Sequence, residues 1–381
     1  MTNDQVEGNS KRVGLGVIGL GGFARFALQH FLQAGPVHLV AVGGATSDEA
    51  KHCAARYGAP VLDSAAAVCE RSDVDWVYIN TPPFLHAEQA AMAIRAGKNV
   101  LVEKPMATTA EDAERLQQLA QQNGVRVVTN LMQRYNPVVT QIKTILDEGL
   151  LGRPQFFNFN NHAVDEGLPD QHWFWDREKS GGIFVEHGVH FFDLANYWFG
   201  DGVVTGAGRA TRAVEAGGSP IEDQVWCDTR HRRGEASTVC RFYHGFNQSS
   251  RTEDQRWEIV CERGHITTSG WIPMGFDLVG IVDEAQSRRM DEVTGGARTR
   301  IIEQYSDNQR SVRGGGRVHQ VYQKISVSVP PPVEKSELYG DLLVDLFRDQ
   351  VIGGEGSPLH DARGGLNSLR LAVEAARRSL Q

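Results

Sequence analysis

The chain has 381 residues, 41% hydrophobic and 23% charged, with a formal net charge of -8 at pH 7. That composition suits a soluble globular protein, and at ~150 residues per domain the length allows two domains. The acidic balance argues against nucleic acid as the main partner, and no apolar run approaches the ~18 residues of a membrane span.

Met1–Ser10 is polar and lacks an apolar signal core, so a disordered tail over 1–10 and a cytoplasmic location are expected. From Arg12 onward, strand and helix signals alternate. Strands are predicted at Arg12–Ile18, Val37–Val42, Val74–Ile79, Asn99–Val102 and Val125–Thr129. Helices are predicted at Phe23–Ala34, at Ser47–Tyr57 with Ser47 as cap, up to Ala96, and from Thr109 to Asn123. This rhythm implies a parallel, doubly wound sheet with helices on both faces.

After Asn136-Pro137 the rhythm changes. A helix at Val138–Glu148, a strand at Gln155–Asn160 and a long helix at Ile183–Phe199 precede alternating segments between Val203 and Thr268. Thr294–Gly316 is rich in Arg and Gly and is predicted as a loop, and Gly364–Leu380 as an amphipathic helix. The expected fold class is α/β. A Rossmann dinucleotide-binding domain (11–131) precedes an α+β domain (132–381) with an open, mostly antiparallel sheet. Five scattered cysteines without a CxxC pair are expected to be reduced and structural, and no metal site is expected.

Gly19-Leu20-Gly21-Gly22-Phe23-Ala24 lies between a predicted strand and helix and fits G-x-G-x-x-A. The first Gly permits a tight turn, the second lets the backbone approach a pyrophosphate, and Ala24 allows close helix–strand packing. The helix N-terminus then offers unpaired N–H groups to phosphate. The second strand runs into Gly43-Gly44-Ala45-Thr46-Ser47, with no acid where one usually binds the ribose 2′-hydroxyl. NAD and NADP therefore both remain open.

Glu103-Lys104-Pro105 follows a strand at its carboxyl end, where ligands of open α/β sheets bind. Lys104 there is either a surface loop lysine or a group that polarises a substrate oxygen. In the Gly181–Asp193 segment, Glu186, His190 and Asp193 stand at offsets 0, 4 and 7, one face of an α-helix. His190 can take a hydroxyl proton with a carboxylate one turn away to orient it, or it can be a buried histidine satisfied by Glu186. His187 is off that face and is structural or substrate-facing. Trp173, in the aromatic run His172–Asp176, can stack on a sugar ring or pack in the core.

Taken together, Gly19–Ala24, Asn80-Thr81-Pro82-Pro83 with His86, Glu103-Lys104-Pro105, Gln133–Pro137, Gly181–Asp193 and the closing Gly365–Ser379 helix resemble the Gfo/Idh/MocA oxidoreductases over nearly the whole chain. The resemblance implies Lys104 and His190 as catalytic pair, with Asp193 nearby. It implies Asn80, Thr81, Pro82 and His86 on the nicotinamide side, and Glu103 helping to hold the cofactor. Glu186 stands where the family usually has Asp. Together with the residues above, this gives Lys104, His190 and Glu186 as catalytic candidates. Gly19, Gly21, Gly22, Phe23, Ala24, Ala45, Thr46, Ser47, Asn80, Thr81, Pro82, His86, Glu103 and Lys104 are the cofactor-binding candidates. Lys104, Arg134, Trp173, His187, His190 and Asp193 are the substrate-binding ones. The resemblance further implies hydride transfer between NAD or NADP and a sugar, polyol or glycoside, and a homodimer or homotetramer. Two other functions share the fold: a glycosidase or lyase that oxidises its sugar transiently, and a non-catalytic NAD(P)-binding regulator.

Overall fold

The computed structural model describes residues 12–165, 167–214, 219–295, 297–314, 316–353 and 362–381. The tail expected at 1–10 lies outside them. The chain divides into two compact units, the first comprising Met1–Ala107, Glu111–Asn130 and Leu343–Ala362, the second Thr108–Ala110, Leu131–Leu342 and Arg363–Gln381.

The first unit is the predicted βα alternation. Strands β1 (Val13–Ile18), β2 (Val37–Gly43), β3 (Val61–Leu62), β4 (Trp76–Ile79), β5 (Asn99–Val102) and β6 (Val127–Thr129) form a sheet in the order β3-β2-β1-β4-β5-β6. Every pairing is parallel. The strands are buried almost throughout, as a sheet covered on its faces requires. The helices are α1 (Gly22–Phe31), α2 (Asp48–Arg56), α3 (Ala65–Cys69), α4 (His86–Arg95) and α5 (Ala110–Asn123). Ser47 caps α2 as expected, its hydroxyl accepting the Ala50 N–H at 3.2 Å.

The second unit begins with α6 (Pro137–Asp147), β7 (Pro154–Val164), α7 (Arg177–Ser180) and α8 (Val189–Phe199). It continues through β8 (Gly202–Arg212), β9 (Ile221–Arg233), β10 (Ala236–Gln248), β11 (Asp254–Cys261), β12 (Gly264–Ser269) and β13 (Phe276–Val282). After α9 (Glu284–Val293) come β14 (Arg298–Gln304), β15 (Ser311–Gly314), β16 (Arg317–Gln320) and β17 (Gln323–Val329). Nine strands form one sheet, β14-β17-β13-β12-β11-β7-β10-β9-β8, antiparallel except for β7 against β10. The aromatic core joins α8 to the sheet: Phe191 stacks on Phe159 at 3.9 Å, and Phe157 meets Trp198 at 5.9 Å.

Three expectations are corrected. Thr294–Gly316 is not a loop: β14 pairs with β17, and β15 with β16 forms a hairpin. The helix predicted at Ile183–Phe199 is interrupted by a π turn at Phe184–Gly188. A short β3 and α3, absent from the sequence reading, follow α2.

The chain closes with α10 (Lys335–Phe347), a π turn at Arg348–Ile352 and α11 (Ala362–Arg378). From Leu343 it rejoins the first unit, where Phe347 stacks on Phe31 at 4.5 Å and Arg348 Nε donates to the Ala34 carbonyl. Among the described residues, no helix is long and apolar enough to cross a membrane.

Candidate active site

The nucleotide end of the first unit is built from glycine. Gly19 has φ +82°, and a Cβ there would fall 2.7 Å from the Asn80 carbonyl oxygen, so β1 can end against β4 only with glycine at this position. Gly21 is the N-cap of α1 and makes no side-chain cap. A Cβ on Gly21 or Gly22 would meet nothing within 4 Å. The first-turn N–H groups of α1 thus face an open cradle with no acidic side chain in that turn, which fits a dinucleotide pyrophosphate. Ala24 is fully buried and Phe23 half-buried. At the end of β2, Ala45 is buried while Thr46 and Ser47 are exposed.

One arginine that the sequence reading did not weigh bears on the segment after β2. Arg25, one turn into α1, acts on Glu49 at the start of α2, whose carboxyl is held below its usual range by the helix N–H, by Ser47 and by that arginine.

The loops after β4 and β5 form a hydrogen-bonded network. Asn80 Nδ2 donates to the Tyr78 hydroxyl at 3.0 Å, and that hydroxyl donates to Glu103 Oε1 at 2.8 Å. The same oxygen accepts from Asn130 Nδ2 at 2.7 Å. Burial pushes the Glu103 pKa up, and the two donors and Lys104 act against it. Glu103 is therefore committed to protein donors within the sheet, and Tyr78 and Asn130 are site-supporting residues that the sequence reading missed. The Thr81 hydroxyl donates to Gln89 at 2.7 Å, and both ring nitrogens of His86 lie 2.7 Å from carbonyl oxygens, of Pro105 and of Thr81. Pro82 leads into the turn Pro83–Leu85. Lys104 is half-buried at the carboxyl end of β5, and its bond to Pro105 is cis.

In the second unit, Gly181 and Gly182, with φ +80° and +88°, turn the chain into the π turn that carries Glu186 and His187. Such turns recur at functional sites. His190, in the first turn of α8, is 8% exposed, with the Trp271 ring 5.9 Å away. Gln133 and Asn136 donate to the carbonyls of Trp271 and Pro273, fixing that turn.

Asp193 is buried in a two-pronged pair with Arg134, whose Nε and Nη2 donate to the two carboxylate oxygens at 2.8 and 2.5 Å. Burial pushes Asp193 up, and Arg134 opposes it. The second unit thus brings Glu186, His187, His190, Asp193 and Arg134 into one neighbourhood, with Arg134 and Asp193 engaging each other. Trp173 is half-buried within its own loop, against His172 at 5.1 Å and Phe174 at 6.4 Å.

Two comparisons bear on this assembly. The pattern of an oxidoreductase family with an NAD-binding Rossmann fold matches residues 13–131, and that of the GFO/IDH/MocA C-terminal domain matches residues 139–267. The chain belongs to the GFO/IDH/MocA family.

Family membership makes it an oxidoreductase whose first unit takes NAD or NADP. It is 28% identical to a dTDP-3,4-didehydro-2,6-dideoxy-alpha-D-glucose 3-reductase of Saccharopolyspora spinosa, over 74% of this chain and 85% of that one. The enzyme of the same name from Actinomadura kijaniata is 32% identical, over 50% of this chain and 58% of that one, so that match spans little more than half the relative's length. A levoglucosan dehydrogenase, solved with NADH and levoglucosan, shares the fold with a TM-score of 0.73 at 19% identity, covering 97% of this chain and 98% of that one.

Proposed function

We propose that this chain transfers hydride reversibly between a nicotinamide cofactor and a secondary alcohol or ketone of a sugar, polyol or glycoside. His190 serves as general base, and Lys104 binds and polarises the reacting oxygen. The carrying observation is His190 itself, a nearly buried imidazole on a helix anchored by the Arg134–Asp193 pair one turn on, in a family of nicotinamide oxidoreductases. The sugar-modifying names of the relatives support the substrate class.

When bound, the nicotinamide accepts or supplies the hydride. The protein handles the proton. In the oxidative direction, His190 accepts the hydroxyl proton through a ring nitrogen while the carbinol C–H bond breaks, which a neutral imidazole can do near neutral pH. The Lys104 ammonium donates to the same oxygen and stabilises its developing negative charge. Glu186 assists the histidine. Arg134, Trp173, His187 and Asp193 shape the substrate side, and Asn80, Thr81, Pro82, His86 and Glu103 the nicotinamide side.

A homodimer or homotetramer fits the open face of the second sheet, where Trp226 and Val239 are exposed, with Ile302 and Val318 exposed on β14 and β16. A screen of sugars, polyols and glycosides with NAD and NADP, read by absorbance of the reduced nicotinamide, tests the reaction. His190→Ala should lower kcat on any hit by ~10²–10⁴-fold with cofactor affinity nearly intact. Turnover at the wild-type rate would remove His190 from the chemistry.

A further inference from the structure

His187 precedes His190 by three residues, and it leans on a second histidine that no sequence motif marks. His244, on β10, is fully buried, and its Nδ1 lies 3.2 Å from Nδ1 of His187. Gly188 lies against the same ring: a Cβ there would sit 3.5 Å from His244 Nε2, in ordinary contact. Two neutral imidazole nitrogens at hydrogen-bond distance share one proton, so one ring donates and the other accepts.

The far nitrogen decides which. Among the described residues, His244 Nε2 is buried without a hydrogen-bond partner, and the ring packs against Phe159, Phe184 and Phe191. If the His244 proton sat on Nε2, a buried N–H would have no acceptor, and such orphaned donors are rare and costly. If it sat on Nδ1, Nε2 would be a bare lone pair. An unsatisfied buried acceptor is tolerated more readily than an unsatisfied buried N–H, so the proton belongs on Nδ1. Burial, and then the charge of His187, also hold His244 well below the usual histidine pKa, which keeps it neutral.

We propose that His244 donates from Nδ1 to Nδ1 of His187 and thereby fixes His187 in the tautomer protonated on Nε2. His244 is a positioning residue. Its effect is to make the half-buried His187 a hydrogen-bond donor with no free lone pair, and so to leave the base role to His190. The tautomer stands on the geometry alone; the use of His187 as a donor to a substrate oxygen, with the base role left to His190, rests on the function proposed above.

The tautomers are read directly from two-bond ¹H–¹⁵N correlation spectra of the cofactor-free protein labelled at histidine, near neutral pH. His187 should show a pyridine-type Nδ1 and a pyrrole-type Nε2, and His244 the reverse. His244→Asn, which puts an amide N–H where Nδ1 stood, should keep the His187 tautomer, whereas His244→Phe should release it to a mixture. A His187 protonated on Nδ1, or one indifferent to His244→Phe, would overturn the proposal. Should the Phe variant not fold, the wild-type spectrum alone decides. Because no substrate is present, correct tautomers without sugar turnover would defeat the proposed function and spare this one. Sugar turnover with the opposite tautomers would do the reverse.

Discussion

Replacing Asp193 by Asn tests how the helix carrying His190 is held. In the native chain, both oxygens of Asp193 accept from Arg134, and the side chains are only 2% and 9% exposed. Asn removes the negative charge and leaves the Arg134 guanidinium buried against one carbonyl oxygen and the Tyr197 ring, 5.4 Å away. Breaking a buried pair from one side costs ~3–5 kcal/mol, because the remaining charge is uncompensated. At ~2–4 °C per kcal/mol for a unit of this size, the melting temperature should fall by about 6–20 °C. Every tryptophan except Trp76 lies in the second unit, so urea unfolding followed by tryptophan fluorescence reports this unit chiefly. Arg134→Met combined with Asp193→Leu should recover most of the loss, since no buried charge remains. A loss below ~1 kcal/mol in Asp193→Asn would place the pair in the class of surface bridges and refute the argument.

Gly21→Val should stay folded, because a Cβ there meets no atom, yet weaken NAD and NADP binding by ~100-fold or more, about 2.7 kcal/mol, by filling the phosphate cradle; unchanged fluorescence titrations would misplace the cradle. Wild-type protein should discriminate weakly between the cofactors or lean to NADP. Arg25→Ala should raise the NADP Kd by about tenfold, one charge-assisted contact, without moving that for NAD; equal effects on both would remove Arg25 from the 2′-position. His231, buried with Nδ1 on the Gly200 carbonyl, has its pKa pushed below the usual 6.5, mainly by burial. Its contribution to stability is therefore intact above pH 6.5 and declines as pH falls below it, because the unfolded chain takes up the proton first. Urea midpoints should drop from pH 6.5 downward, and less steeply in His231→Asn; equal slopes would refute this.

The first unit was legible because its strands and helices alternate with caps and glycines at regular intervals, so local signals agree with the tertiary outcome. What failed was written non-locally. β14 has almost no buried residue, hence no inside–outside alternation, and only its pairing with β17 makes it a strand. The π turn differs from an α turn by one hydrogen-bond step, which a pattern of apolar residues at three and four does not resolve. Asp193 was singled out in the sequence, but its partner lies 59 positions away. Leu343–Phe347 shows an apolar stripe without naming the surface it covers, and that surface proved to be the first unit.

The site itself follows from where the first sheet reverses direction. From β1 the chain winds outward through β2 and β3, and from β4 it winds the other way through β5 and β6. The connections leaving β1 and β4 therefore diverge above neighbouring strands and open a crevice, the place where open α/β sheets bind ligands. Gly19 leaves β1 so close to Asn80, which follows β4, that a single methyl would collide with its carbonyl. The crevice walls are then stiffened from within. Glu103 gathers Tyr78 from β4 and Asn130 from the end of β6 onto one oxygen, so three adjacent strand ends share one buried carboxylate. Asn80 is tied to the same network through Tyr78. A carboxylate engaged in this way cannot also serve as a flexible ligand. Its work is to hold Asn80, and the backbone that leads into Lys104, in place before anything binds, which is the preorganisation that electrostatic catalysis requires.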